Sequence, residues 1–109
     1  MDVNILKRRG KKILNNRRQM TKNITLYDSH YNSIYENYIE LSSLVKWLLR
    51  NKIHLYDDFY QSTNEGRSKP TSVSLSIEDV ELIGKINLSN FIRWGLENHL
   101  KEYKKYENI

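Results

Sequence analysis

The sequence predicts a mostly helical fold assembled from two strand-helix-helix units that share one core. Three observations predict it. Leu41-Ser-Ser-Leu-Val-Lys-Trp-Leu-Leu-Arg-Asn51 returns 47 residues later as Leu88-Ser-Asn-Phe-Ile-Arg-Trp-Gly-Leu-Glu-Asn98. Each copy follows a short alternating segment, Asn23-Ile-Thr-Leu-Tyr27 and Ser72-Val-Ser-Leu-Ser76, and a short amphipathic stretch. A unit of about 35 residues is too small to bury a core alone, so two copies in 109 residues are expected to complete each other.

Composition narrows the function classes. Hydrophobic residues make up 39% and charged residues 28%, the balance of a folded chain rather than a disordered one. There is no apolar run long enough to span a bilayer and no continuous apolar stretch of a signal peptide, so neither a membrane partner nor export is expected. The absence of cysteine removes disulfides, thiolate zinc sites and cysteine nucleophiles, and suits an intracellular protein. Alanine is absent too, while Ile, Asn, Lys and Tyr are plentiful, a bias of AT-rich genomes such as those of some viruses and plasmids.

The charge is unevenly placed. Residues 1–20 carry Lys7, Arg8, Arg9, Lys11, Lys12, Arg17 and Arg18 against Asp2, a net +6, so the rest of a +5 chain sums to −1. A basic arm on a nearly neutral body is a common nucleic-acid signature, although a solubilising tail has the same composition.

After that arm, residues 21–53 form the first unit. Ile24 and Leu26 alternate with Asn23, Thr25 and Tyr27, a strand with one buried face. Asp28 or Ser29 is the expected cap of a short helix whose stripe is Tyr31, Ile34, Tyr35 and Tyr38. Ser42 is the expected cap of the next helix, with Leu44, Val45, Leu48, Leu49 and Ile53 on one face.

Residues 54–70 lack a period and carry turn residues, so they read as a linker; Pro70 falls where a strand can lose one N–H. Residues 71–106 form the second unit. Val73 and Leu75 face inward, Ser72, Ser74 and Ser76 outward, and Ser76 with Asp79 makes a capping box. Val80, Ile83 and Ile86 line the short helix. Phe91, Ile92, Leu96, Leu100 and Tyr103 line a final helix that is expected to run unbroken and fray near Tyr106.

The repeat aligns Trp47 with Trp94, Leu49 with Leu96, Asn51 with Asn98 and Lys46 with Arg93. The strand and first helix align at an offset of 49 (Ile24 with Val73, Leu26 with Leu75, Ile34 with Ile83), which puts a two-residue difference in the turn between helices. Gly95 opposite Leu48 points to a close helix crossing relieved on one side. Matched tryptophans read as packing residues more readily than as base-stacking platforms.

A strand of alternating apolar and short polar residues, a capped short helix, then Leu-Ser opening an amphipathic helix resembles the ribbon-helix-helix family of the MetJ, Arc and CopG kind. The second unit resembles it closely and the first more loosely; together they cover about 80 of the 109 residues. The tandem layout and composition are similar to those of AvtR-type transcription regulators of archaeal filamentous viruses. The resemblance implies that the two strands pair antiparallel into a ribbon above four helices, here as a tandem ribbon-helix-helix pseudo-dimer within one chain. The 17-residue linker could extend at most about 55–60 Å, so its reach allows this, and equally allows a swapped homodimer or a higher oligomer on DNA.

The resemblance also implies the partner: double-stranded DNA, read by a sequence-specific transcription regulator whose ribbon enters the major groove. Candidate base readers are Thr21, Asn23 and Thr25 on the first strand and Ser72 and Ser74 on the second. Asn23 leads, because an amide can bond adenine bidentately. The alternative for all five is ordinary solvent-facing polarity. The helix starts at Ser42-Ser43 and Ser89-Asn90 are expected to grip phosphates through backbone N–H groups, or simply to be capped. Lys22 and Lys69 are expected at phosphates near the ribbon ends, with the seven arm cations adding affinity more than specificity. Because the strands differ, a non-palindromic site is expected.

Catalysis is not expected. His30, His54 and His99 show no metal spacing, Asp57-Asp58 and Glu78-Asp79 are adjacent rather than facing pairs, and there is no phosphate-cradling loop, so no cofactor or metal is implied. Two other functions fit the same residues: non-specific nucleic-acid packaging driven by the arm, and an antitoxin-like module that binds a protein through its C-terminal helix.

Overall fold

The computed structural model describes residues 19–63 and 66–108. The first unit runs β1 (Met20–Tyr27), α1 (Asp28–Glu36), α2 (Leu41–Asn51) and a single 3-10 turn (Ile53–Leu55); the second runs β2 (Ser68–Leu75), α3 (Ile77–Ile83), α4 (Leu88–Asn98) and α5 (Leu100–Glu107). The strands pair antiparallel with Asn23 opposite Ser72, Thr21 opposite Ser74 and Thr25 opposite Pro70. Asn23 and Ser72 are each other's equivalents at the repeat offset of 49, and the Thr21–Ser74 rung maps onto the Thr25–Pro70 rung. A local twofold axis therefore passes between Asn23 and Ser72, and the expected pairing of two units within one chain is met.

Alternation decides which ribbon face is covered. Ile24, Leu26, Val73 and Leu75 are buried, and the helices pack beneath them. Leu44, Val45, Leu48 and Leu49 of α2 meet Phe91, Ile92 and Leu96 of α4 in one core, each large side chain contributing roughly 1.5–3 kcal/mol. Both strands begin earlier than the pattern indicates, and β2 takes in Ser68–Pro70. Proline fits inside this ladder because Thr25, on the same rung, sends its N–H outward to Ser89 Oγ (3.0 Å) rather than across it. On such a rung the opposite N–H also points outward, so Pro70 loses no ladder bond.

At the axis the equivalent residues Leu48 and Gly95 touch each other. A Cβ on Gly95 would lie 2.3 Å from Leu48 Cδ1 and 3.1 Å from its Cγ. One leucine and one glycine fill a crossing that two leucines would overfill, as the alignment of these positions indicated.

Two polar pairs bridge the units, and the axis relates them. His30 is 2% exposed, and its Nε2 lies 2.5 Å from Glu97 Oε2. Asp79 is 0% exposed, and Arg50 donates to its Oδ1 through Nε (3.2 Å) and Nη2 (3.0 Å). His30 and Asp79 are equivalents at offset 49, and Arg50 and Glu97 at offset 47, so the two pairs have opposite polarity. Each N3 residue also closes a helix start. His30 Nδ1 accepts the Tyr27 N–H (3.1 Å), which leaves Nε2 as the donor to Glu97. Asp79 forms the expected capping box with Ser76, whose Oγ accepts the Asp79 N–H (3.2 Å).

The remaining differences from expectation are local. The residue preceding α1 is Tyr27, not Asp28 or Ser29, because β1 runs directly into the helix. The caps of α2 and α4 are Glu40 and Asn87, whose side chains accept from Ser43 N–H (2.8 Å) and Asn90 N–H (3.1 Å); Ser42 and Ser89 sit inside the first turns instead. The final helix is not continuous. It breaks at His99 (φ −127°), and the first unit breaks at the equivalent Lys52 (φ −127°). In both, an asparagine side chain bonds back to the tryptophan carbonyl one turn earlier (Asn51 to Trp47, 2.9 Å; Asn98 to Trp94, 3.0 Å), competing with the helix ladder. Glu102 meets both hinge residues, and Lys52 and His99 hold its carboxyl below the ordinary range.

Beyond the breaks each tail covers the other unit's tryptophan. Tyr103 packs edge-on against Trp47 (5.5 Å), and its equivalent Tyr56 packs tilted against Trp94 (5.3 Å). The packing reading of both tryptophans holds. Residues read as linker are thus partly built into the core.

Both inter-helix connections are four residues long, and the two-residue difference lies in α1, nine residues against seven in α3. Each connection needs a positive φ: Gly84 (56°) in the second unit and Tyr38 (54°) in the first. Tyr38 is 92% exposed and Tyr35 76%, so two of the three tyrosines of the expected stripe face solvent, and Tyr38 lies beyond the end of α1. A left-handed tyrosine is strained and here gains no packing. Tyr38→Asn is expected to stabilise the protein by about 0.5–1 kcal/mol, measured by urea denaturation.

Candidate nucleic-acid interface

The antiparallel register gathers the sequence-predicted readers on one surface. Thr21 and Ser74, Asn23 and Ser72, and Thr25 and Pro70 occupy successive rungs, share the parity opposite to the buried residues, and are all exposed. Asn23 and Ser72 sit at the axis, flanked by the two hydroxyl-bearing rungs. This face is uncharged and made of small side chains, so it presents hydrogen-bond donors and acceptors close to the backbone.

The rims are braced symmetrically. Ser42 Oγ, in the first turn of α2, accepts the Ser74 N–H (3.0 Å); Ser89 Oγ, in the first turn of α4, accepts the Thr25 N–H (3.0 Å). These serines hold the ribbon's outer edges to the helices of the opposite unit. Ser43 N–H and Oγ both go to Glu40. Asn90 Nδ2 donates to Tyr56 OH (3.0 Å) and Tyr60 O (2.8 Å), and the Asn87 N–H donates to Asp58 (3.1 Å). Each helix start thus has a carboxylate beside it, Glu40 or Asp58, and its side chains already have partners.

Lys22 and Lys69 lie within the strands. They share the parity of the buried positions, opposite Val73 and Leu26, so they leave the ribbon on the helix side. Lys69 Nζ stands 3.4 Å from Asp28. Lys7, Arg8, Arg9, Lys11, Lys12, Arg17 and Arg18 lie outside the described residues.

One residue belongs to this surface that sequence reasoning did not single out for it. Arg93 of α4 donates from Nε to Thr25 O (3.0 Å) and from Nη2 to Thr25 Oγ1 (2.8 Å), with its guanidinium 4.7 Å from the Tyr27 ring centre. It places a fixed cation at the rim of the polar face. Its equivalent, Lys46, was visible in the repeat as a conserved charge; what the alignment could not show is that α4 passes the edge of β1. The hydroxyl of Thr25 accepts from Arg93 and keeps its own hydrogen for another acceptor.

Among the described residues, no group of three His, Asp or Glu side chains is placed to hold a metal, and no helix is long and apolar enough to cross a membrane. Burial pushes the Tyr103 hydroxyl up to about 12, and burial together with Asp58 also raises Tyr56 well above its ordinary value, so both phenols stay protonated as packing groups. Comparison with protein-family models, curated proteins and solved structures finds no match to this chain.

Proposed function

We propose that this chain is a sequence-specific, double-stranded DNA-binding transcription regulator of the ribbon-helix-helix kind, acting by occupying a promoter region. The observation that carries the reading is the exposed ribbon face, where Thr21, Asn23, Thr25, Ser72 and Ser74 lie together with no helix over them among the described residues. A two-stranded ribbon fits the major groove, where each base pair has a distinct donor and acceptor pattern. Asn23, at the centre, offers an amide to adenine N6 and N7. Thr25, oriented by Arg93, offers a directed hydroxyl and a methyl suited to thymine. Arg93 itself and the basic arm supply sequence-independent attraction to phosphates. The two strands differ at every rung, so the bound site is non-palindromic.

The test is footprinting on the DNA upstream of the chain's own gene, with salt-dependent binding to that site and to a scrambled duplex. Asn23→Ala is expected to weaken specific binding roughly 10- to 100-fold while leaving scrambled-duplex binding nearly unchanged. Arg93→Ala is expected to lower both affinities and flatten the salt dependence by about one unit of log K per log salt. Uniform coating of any duplex, indifferent to Asn23→Ala and abolished by removing residues 1–18, would replace this reading with packaging.

A further inference from the structure

We propose that the two units are keyed to each other: each accepts the unlike unit and rejects its own kind, so the ribbon is always built from one first unit and one second unit. Three contacts across the axis carry this inference. The residues of each contact are repeat equivalents of one another or of the residues in its symmetry mate. What a like-with-like pair would bring together can therefore be read directly, by replacing each partner with its equivalent.

Two first units would place Leu48 against Leu48, where even a single added carbon opposite Leu48 falls at 2.3 Å. They would also place His30 against Arg50 twice. His30 Nε2 carries the hydrogen, because Nδ1 accepts the Tyr27 N–H (3.1 Å), so donor would face donor whatever the ring's charge. Two second units would place Gly95 against Gly95, leaving a void at the crossing, and Asp79 against Glu97. Those two carboxylates now rest on Arg50 and His30 respectively, and together they would have neither. Only the unlike pair sets leucine against glycine and cation or donor against carboxylate at every one of these points. Some other cross-unit contacts, Ser42 with a strand N–H, Ser89 with a strand N–H and each tyrosine on a tryptophan, would form in any combination. Of the contacts that differ, those at positions 30, 48, 50, 79, 95 and 97 lie in or beside the core, where a mismatch costs most. One consequence is a ribbon of fixed polarity, with Asn23 always facing Ser72.

The full chain tests this without DNA, so its outcome is separate from the function proposed above. There is no native cysteine, and Asn23 and Ser72 face each other on the exposed side of a rung whose Cα atoms approach closely. Under mild oxidation Asn23→Cys/Ser72→Cys is expected to close a disulfide within one chain. Asn23→Cys alone and Ser72→Cys alone are expected to remain monomeric on non-reducing gels. A disulfide dimer from either single variant, in yield comparable with the internal bridge, overturns the proposal. The reciprocal experiment adds Leu48→Ala/Arg50→Glu to Asn23→Cys. That background relieves the position-48 clash between two first units and gives His30 a carboxylate, while setting a new carboxylate against Asp79 in the unlike pair. The disulfide dimer is expected to rise at least tenfold over Asn23→Cys alone, and no rise in a variant with native circular dichroism overturns the proposal. If that variant does not fold, the comparison of single and double cysteine variants still decides.

Discussion

Glu97→Ala is expected to destabilise the protein by about 3–5 kcal/mol and to lower its melting temperature by roughly 15 °C or more, read by circular dichroism. The carboxylate is a hub. It takes bonds from His30 Nε2 (2.5 Å), Tyr60 OH (2.5 Å), Thr63 N–H (3.0 Å) and Ser62 Oγ, so it ties α1, α4 and the segment before β2 together. Its removal leaves several donors turned toward a space with no acceptor, which costs far more than the loss of one surface ion pair. Acidity should show the same hub. Desolvation acts to raise the Glu97 pKa, but the bonds from Ser62, Tyr60, His30 and the Thr63 N–H together outweigh it and hold the value at about 2, against an ordinary 4.5. A carboxylate lowered in this way stabilises the fold fully above pH 4.5, and that contribution is lost as pH falls from there toward 2. The stability gap between wild type and Glu97→Gln is therefore expected to be widest at neutral pH and to close progressively across that window. A gap that stays constant with pH would show that the charge of Glu97 does not contribute.

The second large effect lies at the axis. Leu48→Ala is expected to cost about 2–4 kcal/mol by opening a cavity under a residue that is fully buried. Gly95→Leu is expected to cost about 3 kcal/mol or more by overfilling the same space. The transposed variant Leu48→Gly/Gly95→Leu, which moves the leucine to the opposite helix, is expected to return to within about 1 kcal/mol of wild type. Each helix then contains one glycine or none, as before, and the crossing again holds one side chain. Strict additivity of the single substitutions Leu48→Gly and Gly95→Leu, in urea denaturation, would mean that the two positions do not share one space.

Much of this was legible in the residues. Periods of two and 3.6 give the strands and the first two helices of each unit, the repeat gives the two units, and the leucine–glycine mismatch gives the crossing, because each is a local pattern written in order along the chain; the antiparallel pairing followed from the family resemblance. The common parity of Thr21, Asn23, Thr25, Ser72 and Ser74 was legible for the same reason. His30 and Asp79 were not: a histidine beside tyrosines and an aspartate in a capping box both look exposed, and only their partners, 67 and 29 residues away, make their burial tolerable. Arg93 was hidden for the same reason, since its contact with Thr25 spans 68 residues.

The chain alone therefore specifies two like units, their strands, the first two helices of each and which strand face is polar, since periodicity is a local property. Packing across the axis specifies the rest: which helix braces which strand edge, where the arginine falls, and that the two polar pairs bridging the units carry opposite polarity. Those features arise from residues that are distant in sequence and become neighbours when two half-cores close on each other, so no local pattern encodes them.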